Sequence, residues 1–177
     1  IRICDETGAE VPTGEVGLVY FERDTPAFEY HNDPEKTASA YHPDHPTWAT
    51  TGDMGYVDDD GFLYLTDRKA FMIISGGVNI YPQEAENVMI NHPAVYDVAV
   101  IGVPDDDLGE VAKACVQLAP EYTPSDELAA ELLDFVRESL APYKSPRTVD
   151  FVDELPRTPT GKLVKGQLRK AYWPSTV

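Results

Sequence analysis

Residues 98–103 read Val-Ala-Val-Ile-Gly-Val, a run without a charged or polar side chain. Such a run suits a strand covered on both faces, so its neighbours must supply an apolar layer above and below it. The flanking segments fit that demand. Residues 111–118 look like a second strand paired with the first. Pro82 is suited to the first turn of a helix, Glu84 and Glu86 sit in its positive first turn, and Ala85, Val88 and Met89 recur at helical spacing until His92-Pro93 stops it. Thr123-Pro124-Ser125-Asp126 resembles a capped helix start, followed by Leu128, Leu132, Val136 and Leu140 at steps of four and ended by Ala141-Pro142. Residues 149–152 add a short strand and residues 163–172 a last, basic helix. The expected fold class is α+β: a small three-layer domain with a short, mostly antiparallel sheet flanked by helices.

Residues 1–66 carry a different pattern. Turns at Asp5-Glu6-Thr7-Gly8 and Pro12-Thr13-Gly14 bracket a hairpin, and residues 15–22 hold Val16, Leu18, Val19, Tyr20 and Phe21. Asp59-Asp60-Gly61 turns residues 54–57 back onto 62–66. This is antiparallel β structure with too few long strands to stand alone. It opens in a strand at Ile1 without a methionine, so the expectation is a piece of a larger protein. Residues 1–67 would be the β-rich end of a large N-terminal domain, and residues 68–177 a separate C-terminal domain.

An apolar share of 42% suffices for a packed core, yet nothing approaches the roughly 18 uninterrupted apolar residues of a membrane helix. The expectation is a soluble, cytoplasmic protein without a transmembrane segment. A net charge of −17 argues against nucleic-acid binding, which needs a basic face to displace counterions from phosphates. The charge is uneven, however. From Arg137 onward eight basic side chains face four acidic ones, which leaves that stretch net positive. A solvated basic surface accounts for this, and so does a local site for a phosphorylated small molecule. Cys4 and Cys115 stand alone, so neither a disulfide framework nor a zinc site is expected. The aspartate runs 58–60 and 105–107 lack the alternation and distal glutamate of a calcium loop. His31, His42, His45 and His92 have no spacing that would face two of them together. No resident metal is expected.

Three segments carry chemistry. In Thr50-Thr51-Gly52-Asp53 a carboxylate on a tight glycine turn can accept hydrogen bonds from two neighbouring hydroxyls, as on a ribose, or simply cap its own turn. In the stretch from Asp67-Arg68-Lys69 to Ser75-Gly76-Gly77-Val78-Asn79-Ile80-Tyr81-Pro82, Arg68 can meet a nucleotide or form a surface ion pair with Asp67 or Asp53. Its glycines make a turn or let a ligand approach the backbone. In Pro156-Arg157-Thr158-Pro159-Thr160-Gly161-Lys162, a mobile ammonium on a glycine-hinged loop can neutralise charge at a phosphoryl centre. Taken alone, Lys162 would be an ordinary solvated side chain.

In this order and at these separations the segments resemble the C-terminal motifs of adenylate-forming enzymes, the superfamily of acyl-CoA synthetases, peptide-synthetase adenylation domains and beetle luciferases. The resemblance runs over essentially all 177 residues. It implies that Asp53 and Arg68 bind ATP, that Lys162 is the adenylation lysine, and that Ser75, Gly76 and Gly77 line the passage of the CoA arm. It also implies a hinge at Lys69 and Ala70, beyond which the chain is a lid that swings as a unit. Many relatives carry a charged residue where Ala70 stands, which weakens any role for a charged hinge side chain. The implied substrates are a carboxylic acid, fatty or aromatic, ATP with its magnesium, and CoA. The implied partner is the N-terminal domain of the same protein. Loading of a carrier protein and a non-catalytic binding module are the alternatives.

Overall fold

The computed structural model describes residues 1–173, and the chain divides into two units, Ile1–Ala70 and Phe71–Val177. The first unit is an antiparallel sheet in the order β1 (Arg2–Cys4), β2 (Gly17–Tyr20), β3 (Asp53–Val57), β4 (Leu63–Arg68). Both hairpins expected from the sequence are present. Ile3, Cys4, Leu18, Val19, Tyr20 and Met54 form its core, joined by Trp48 and Ala49. His42 is buried, accepts at Nδ1 from the Asp44 N–H, and so donates from Nε2 to the Gly8 carbonyl at 2.7 Å. It is a structural histidine. A six-residue helix α1 (Pro34–Ser39), capped by Asp33, lies between β2 and β3 and has no buried residue.

The second unit is built on a five-stranded sheet. Strands β5 (Ile73–Ser75), β6 (Val78–Ile80), β7 (Val95–Asp105), β8 (Gly109–Leu118) and β9 (Thr148–Phe151) alternate with helices α2 (Pro82–Met89) and α3 (Asp126–Ser139), and α4 (Lys165–Tyr172) closes the chain. The path β6-β5-β8-β7 is antiparallel, and β9 joins β8 in parallel because the α3 crossover separates them. Residues 98–103 are all buried, as the apolar run demands. Alternation along β7 sends Val98 and Val100 into one core with Ala85, Met89, Leu132 and Val136. Ala99, Ile101 and Val103 go into the other with Cys115 and Leu155, against which Leu163, Leu168 and Tyr172 pack. Hence the sheet lies between α2 and α3 on one side and α4 on the other, the expected three layers. Ser125 caps α3 by accepting from the Leu128 N–H at 3.1 Å.

The last helix starts at Lys165, two residues later than its sequence pattern suggests, because Leu163 is held in an antiparallel bridge with Arg157. Among the described residues no helix is long and apolar enough to cross a membrane.

A polar cluster ties α4 to the sheet. Burial works against the ionised Asp150 carboxylate, but Lys113 Nζ and the Tyr172 hydroxyl, each at 2.6 Å, outweigh it and hold the group below its ordinary range. A carboxylate depressed in the folded state stabilises the fold above its unfolded pKa and loses that contribution as pH falls through the folded value. The acid limb of stability should therefore steepen below about pH 4, and Asp150→Asn should flatten it. Urea midpoints of both proteins at pH 3 and pH 6 measure this. Parallel losses in the two would contradict it.

Candidate functional site

In the first unit the glycine turn and the sheet register bring Asp53 and Arg68 together. Gly52 has φ +84°, the left-handed region that favours glycine, and its N–H bonds the Thr50 hydroxyl at 3.0 Å. Its carbonyl accepts from the Lys69 N–H at 2.9 Å, which fastens the end of β4 to the start of β3. Asp53 then lies directly opposite Arg68, with Arg68 Nε 3.2 Å from Asp53 Oδ1. The other carboxylate oxygen takes the Thr51 hydroxyl at 2.6 Å. The ladder carries one extra residue on β4, Thr66, beyond the next pair, Met54 with Asp67. The ion pair with Asp53 is thus formed, and the Arg68 side chain is half exposed. A carboxylate offers about four acceptor positions, so two hydroxyls can still approach Asp53.

Between the units, residues Lys69–Phe71 make a single 3-10 turn. Lys69 and Ala70 are both exposed.

In the second unit Ser75, Gly76 and Gly77 form the tip of the β5–β6 hairpin, a strand pair that the sequence pattern did not announce. Gly76 and Gly77 have φ of 57° and 81°, as a two-residue hairpin turn requires. The Gly76 N–H bonds the Leu108 carbonyl at 2.9 Å, and a Cβ at Gly76 would come within 3.0 Å of the Leu108 side chain. Beside the tip lies an open groove of about 320 Å³ lined by Ser75, Val78, Ile80, Leu108, Tyr143 and Arg147.

Lys162 sits at the end of a short, tightly bonded turn. The Thr158 N–H donates to the Lys162 carbonyl at 2.8 Å, the Lys162 N–H donates to the Thr158 hydroxyl at 3.1 Å, and the Gly161 N–H donates to the Thr158 carbonyl at 2.8 Å. Gly161 has φ +84°. The residue is exposed, and among the described residues its ammonium has no ion-pair partner.

Two residues that the motifs did not single out join this turn to the sheet. Arg157 Nη1 donates to the Gly161 carbonyl at 2.6 Å, while Nε donates to Asp97 Oδ2 at 3.2 Å and Nη2 pairs with the same oxygen. Arg157 was visible inside the motif, but Asp97 lies sixty residues away and has no local signal. At the other root of the turn Lys165 Nζ is buried 2.7 Å from Glu86 Oε1.

Residues 84–162 match the AMP-binding enzyme C-terminal domain family, a span running from α2 to Lys162. The chain carries an AMP-binding enzyme C-terminal domain. Similar proteins extend beyond that span. Acyl-coenzyme A synthetase ACSM3, mitochondrial, of Mus musculus is 39% identical over 183 residues, which covers 99% of this chain and 31% of the relative. Fatty acid–[acyl-carrier-protein] ligase ScoC of Streptomyces coeruleorubidus is 38% identical over 97% of this chain and 32% of its own length. The ATP-bound RpMatB-BxBclM chimera B1 superposes with a TM-score of 0.86 at 41% identity, again over 97% of this chain and 34% of the other. The AMP-binding C-terminal domain and its preceding sheet therefore span about a third of the length of the proteins they match. These relatives are acyl-CoA synthetases and related adenylate-forming enzymes, and the α+β fold is theirs.

Proposed function

We propose that this chain is the lid and adjoining sheet of an ATP-dependent ligase that activates a carboxylic acid, a fatty acid by preference, and transfers it to CoA. In the first step a carboxylate oxygen attacks the α-phosphorus of ATP, the bond to pyrophosphate breaks, and an acyl-adenylate forms. In the second the CoA sulfur attacks the acyl carbon, its proton is lost, and AMP leaves.

The observation that carries this reading is the exposed ammonium of Lys162, without an ion-pair partner among the described residues, on a turn held by hydrogen bonds at Thr158, Gly161 and Lys162. Negative charge builds on the reacting oxygens in the first step, and a positioned cation there lowers the barrier because it needs no reorganisation. Asp53 would accept the ribose hydroxyls and Arg68 would contact the nucleotide. Magnesium would arrive with the ATP phosphates. Ser75, Gly76 and Gly77 would serve the second step, the glycines admitting the pantetheine arm close to the backbone. Exchange between the steps calls for rotation of residues 71–177 as a unit, and the single turn at Lys69 and Ala70 has the few adjustable dihedrals that a hinge needs. The large N-terminal domain that completes the site would be the partner. We place the activity in the cytoplasm, although one of the relatives is mitochondrial by name.

ScoC, named for transfer to an acyl carrier protein, favours a second reading in which the acceptor is a phosphopantetheinyl protein. One experiment separates the two. The full-length enzyme, given ATP, a fatty acid and either CoA or a loaded carrier protein, is expected to make the CoA thioester. Acylation of the carrier protein alone would sink the CoA reading, and failure of both to accept would favour a non-catalytic module. The 177 residues by themselves are expected to give no ATP–pyrophosphate exchange, measured with labelled pyrophosphate. Robust exchange would refute the need for a larger domain.

A further inference from the structure

The turn that carries Lys162 is clamped from the side by one guanidinium. Arg157 Nη1 donates to the carbonyl of Gly161, the residue immediately before Lys162, at 2.6 Å. The same guanidinium is fixed in turn by Asp97 on β7, which accepts from both Nε and Nη2. Asp97 is the more buried of the two, with 19% of its side chain exposed against 41% for Arg157. Gly161 is the only residue of the turn with a left-handed φ and has nothing near its missing Cβ, so its own side-chain packing cannot hold the peptide plane. A planar, five-donor group can hold a carboxylate and a carbonyl at once, which a lysine cannot do with the same geometry.

We propose that Arg157, anchored by Asp97, is a positioning residue that orients the Gly161–Lys162 peptide and thereby aims the Lys162 ammonium for adenylation. The inference rests on the adenylation role of Lys162 argued above. Without the clamp the Gly161–Lys162 peptide keeps only the bond from the Lys162 N–H to the Thr158 hydroxyl, its carbonyl is released, the ammonium samples more directions, and a displacement of about 1 Å in a catalytic group costs on the order of 100-fold in rate. The clamp has no part in the transfer to CoA, because Lys162 acts only in the first half-reaction.

The test uses the full-length enzyme and measures the half-reactions separately, adenylate formation in a single turnover and thioester formation from synthetic acyl-adenylate and CoA. Arg157→Ala is expected to slow adenylation about 10- to 100-fold, with the KM for ATP little changed and the thioester step at its normal rate. Asp97→Asn, which loosens the anchor but leaves Arg157 in place, should show the same pattern at smaller size, and it carries the test if Arg157→Ala does not fold. The double variant Lys162→Ala/Arg157→Ala should adenylate no more slowly than Lys162→Ala alone, because a residue acting only through Lys162 has nothing left to position. Equal loss of both half-reactions, or a further loss in the double variant, would overturn the proposal. Normal adenylation by Arg157→Ala beside an inactive Lys162→Ala would overturn it while leaving the adenylation reading intact. Normal adenylation by Lys162→Ala would remove that reading, and the positioning role with it.

Discussion

Replacing Lys162 by alanine in the full-length enzyme is expected to lower the rate of acyl-adenylate formation by about 10²–10³-fold, the usual loss when one preorganised charge-stabilising group is removed. The rate at which CoA reacts with preformed acyl-adenylate should stay within about twofold, because a step that involves no phosphoryl transfer makes no use of the ammonium. Little loss of stability should accompany the change. Lys162 is exposed, its ammonium has no ion-pair partner among the described residues, and the bonds that shape its turn are made by backbone atoms, the Thr158 hydroxyl and the Arg157 guanidinium. Single-turnover assays of each half-reaction measure the split. Equal loss in both would mean that Lys162 holds the domain together and does not serve one step.

The second large effect concerns the fold. Glu86 and Lys165 form an ion pair in which both side chains are more than nine-tenths buried, with Nζ 2.7 Å from Oε1. The same Glu86 oxygen accepts the Val100 N–H at 2.6 Å, and Lys165 Nζ lies 5.4 Å from the centre of the Phe71 ring. One pair thus joins α2, β7 and the first residue of α4. Removing only one partner leaves the other charge in an apolar site, which costs about 3–5 kcal/mol. Glu86→Ala is therefore expected to lose that much, a large fraction of the roughly 5–15 kcal/mol by which domains are stable. Replacing both partners by apolar residues of similar volume should cost much less. Chemical denaturation of the two variants reads the difference. A loss below about 1 kcal/mol for Glu86→Ala would show the site to be wet and the pair weak.

The layers of the second unit were legible because periodicity reports burial. The unbroken run at 98–103 announced a strand with two covered faces, and Leu128, Leu132 and Val136 at steps of four announced the buried side of α3, where Leu132 and Val136 are fully enclosed. Shorter elements escaped. The strand β6 has three residues with Asn79 at its centre, too few for a period to register. The helix α1 buries nothing, so only the Asp33-Pro34 start could have betrayed it. The direction of β9 depends on the crossover through α3, a property of topology and not of its own four residues.

The candidate site divides in the same way. Asp53, Arg68, Ser75, Gly76, Gly77 and Lys162 stand in segments punctuated by glycine or proline, where a backbone requirement restricts the local sequence. Their supports do not. Asp97 beneath Arg157 and Glu86 beneath Lys165 are single acidic residues in an acidic chain, and only the fold brings each to its partner. The net positive stretch from Arg137 onward is used partly for such internal pairs: Lys144 with Glu84, Arg147 with Asp105, Lys165 with Glu86 and Arg169 with Glu110. What that charge asymmetry suggested as a surface for phosphates is in good part an internal brace, and among the described residues Lys162 and Lys170 are the members of the stretch without an ion-pair partner.

The most direct measurement of the central claim is the reactivity of Lys162 toward an amine-acylating reagent in the full-length enzyme, with and without ATP, magnesium and a fatty acid. Lys170, exposed on the same unit, serves as the internal reference. An ammonium that enters the nucleotide site predicts that the substrates slow labelling of Lys162 several-fold while Lys170 reacts as before. Unchanged labelling of Lys162 under conditions where the enzyme turns over would contradict the account.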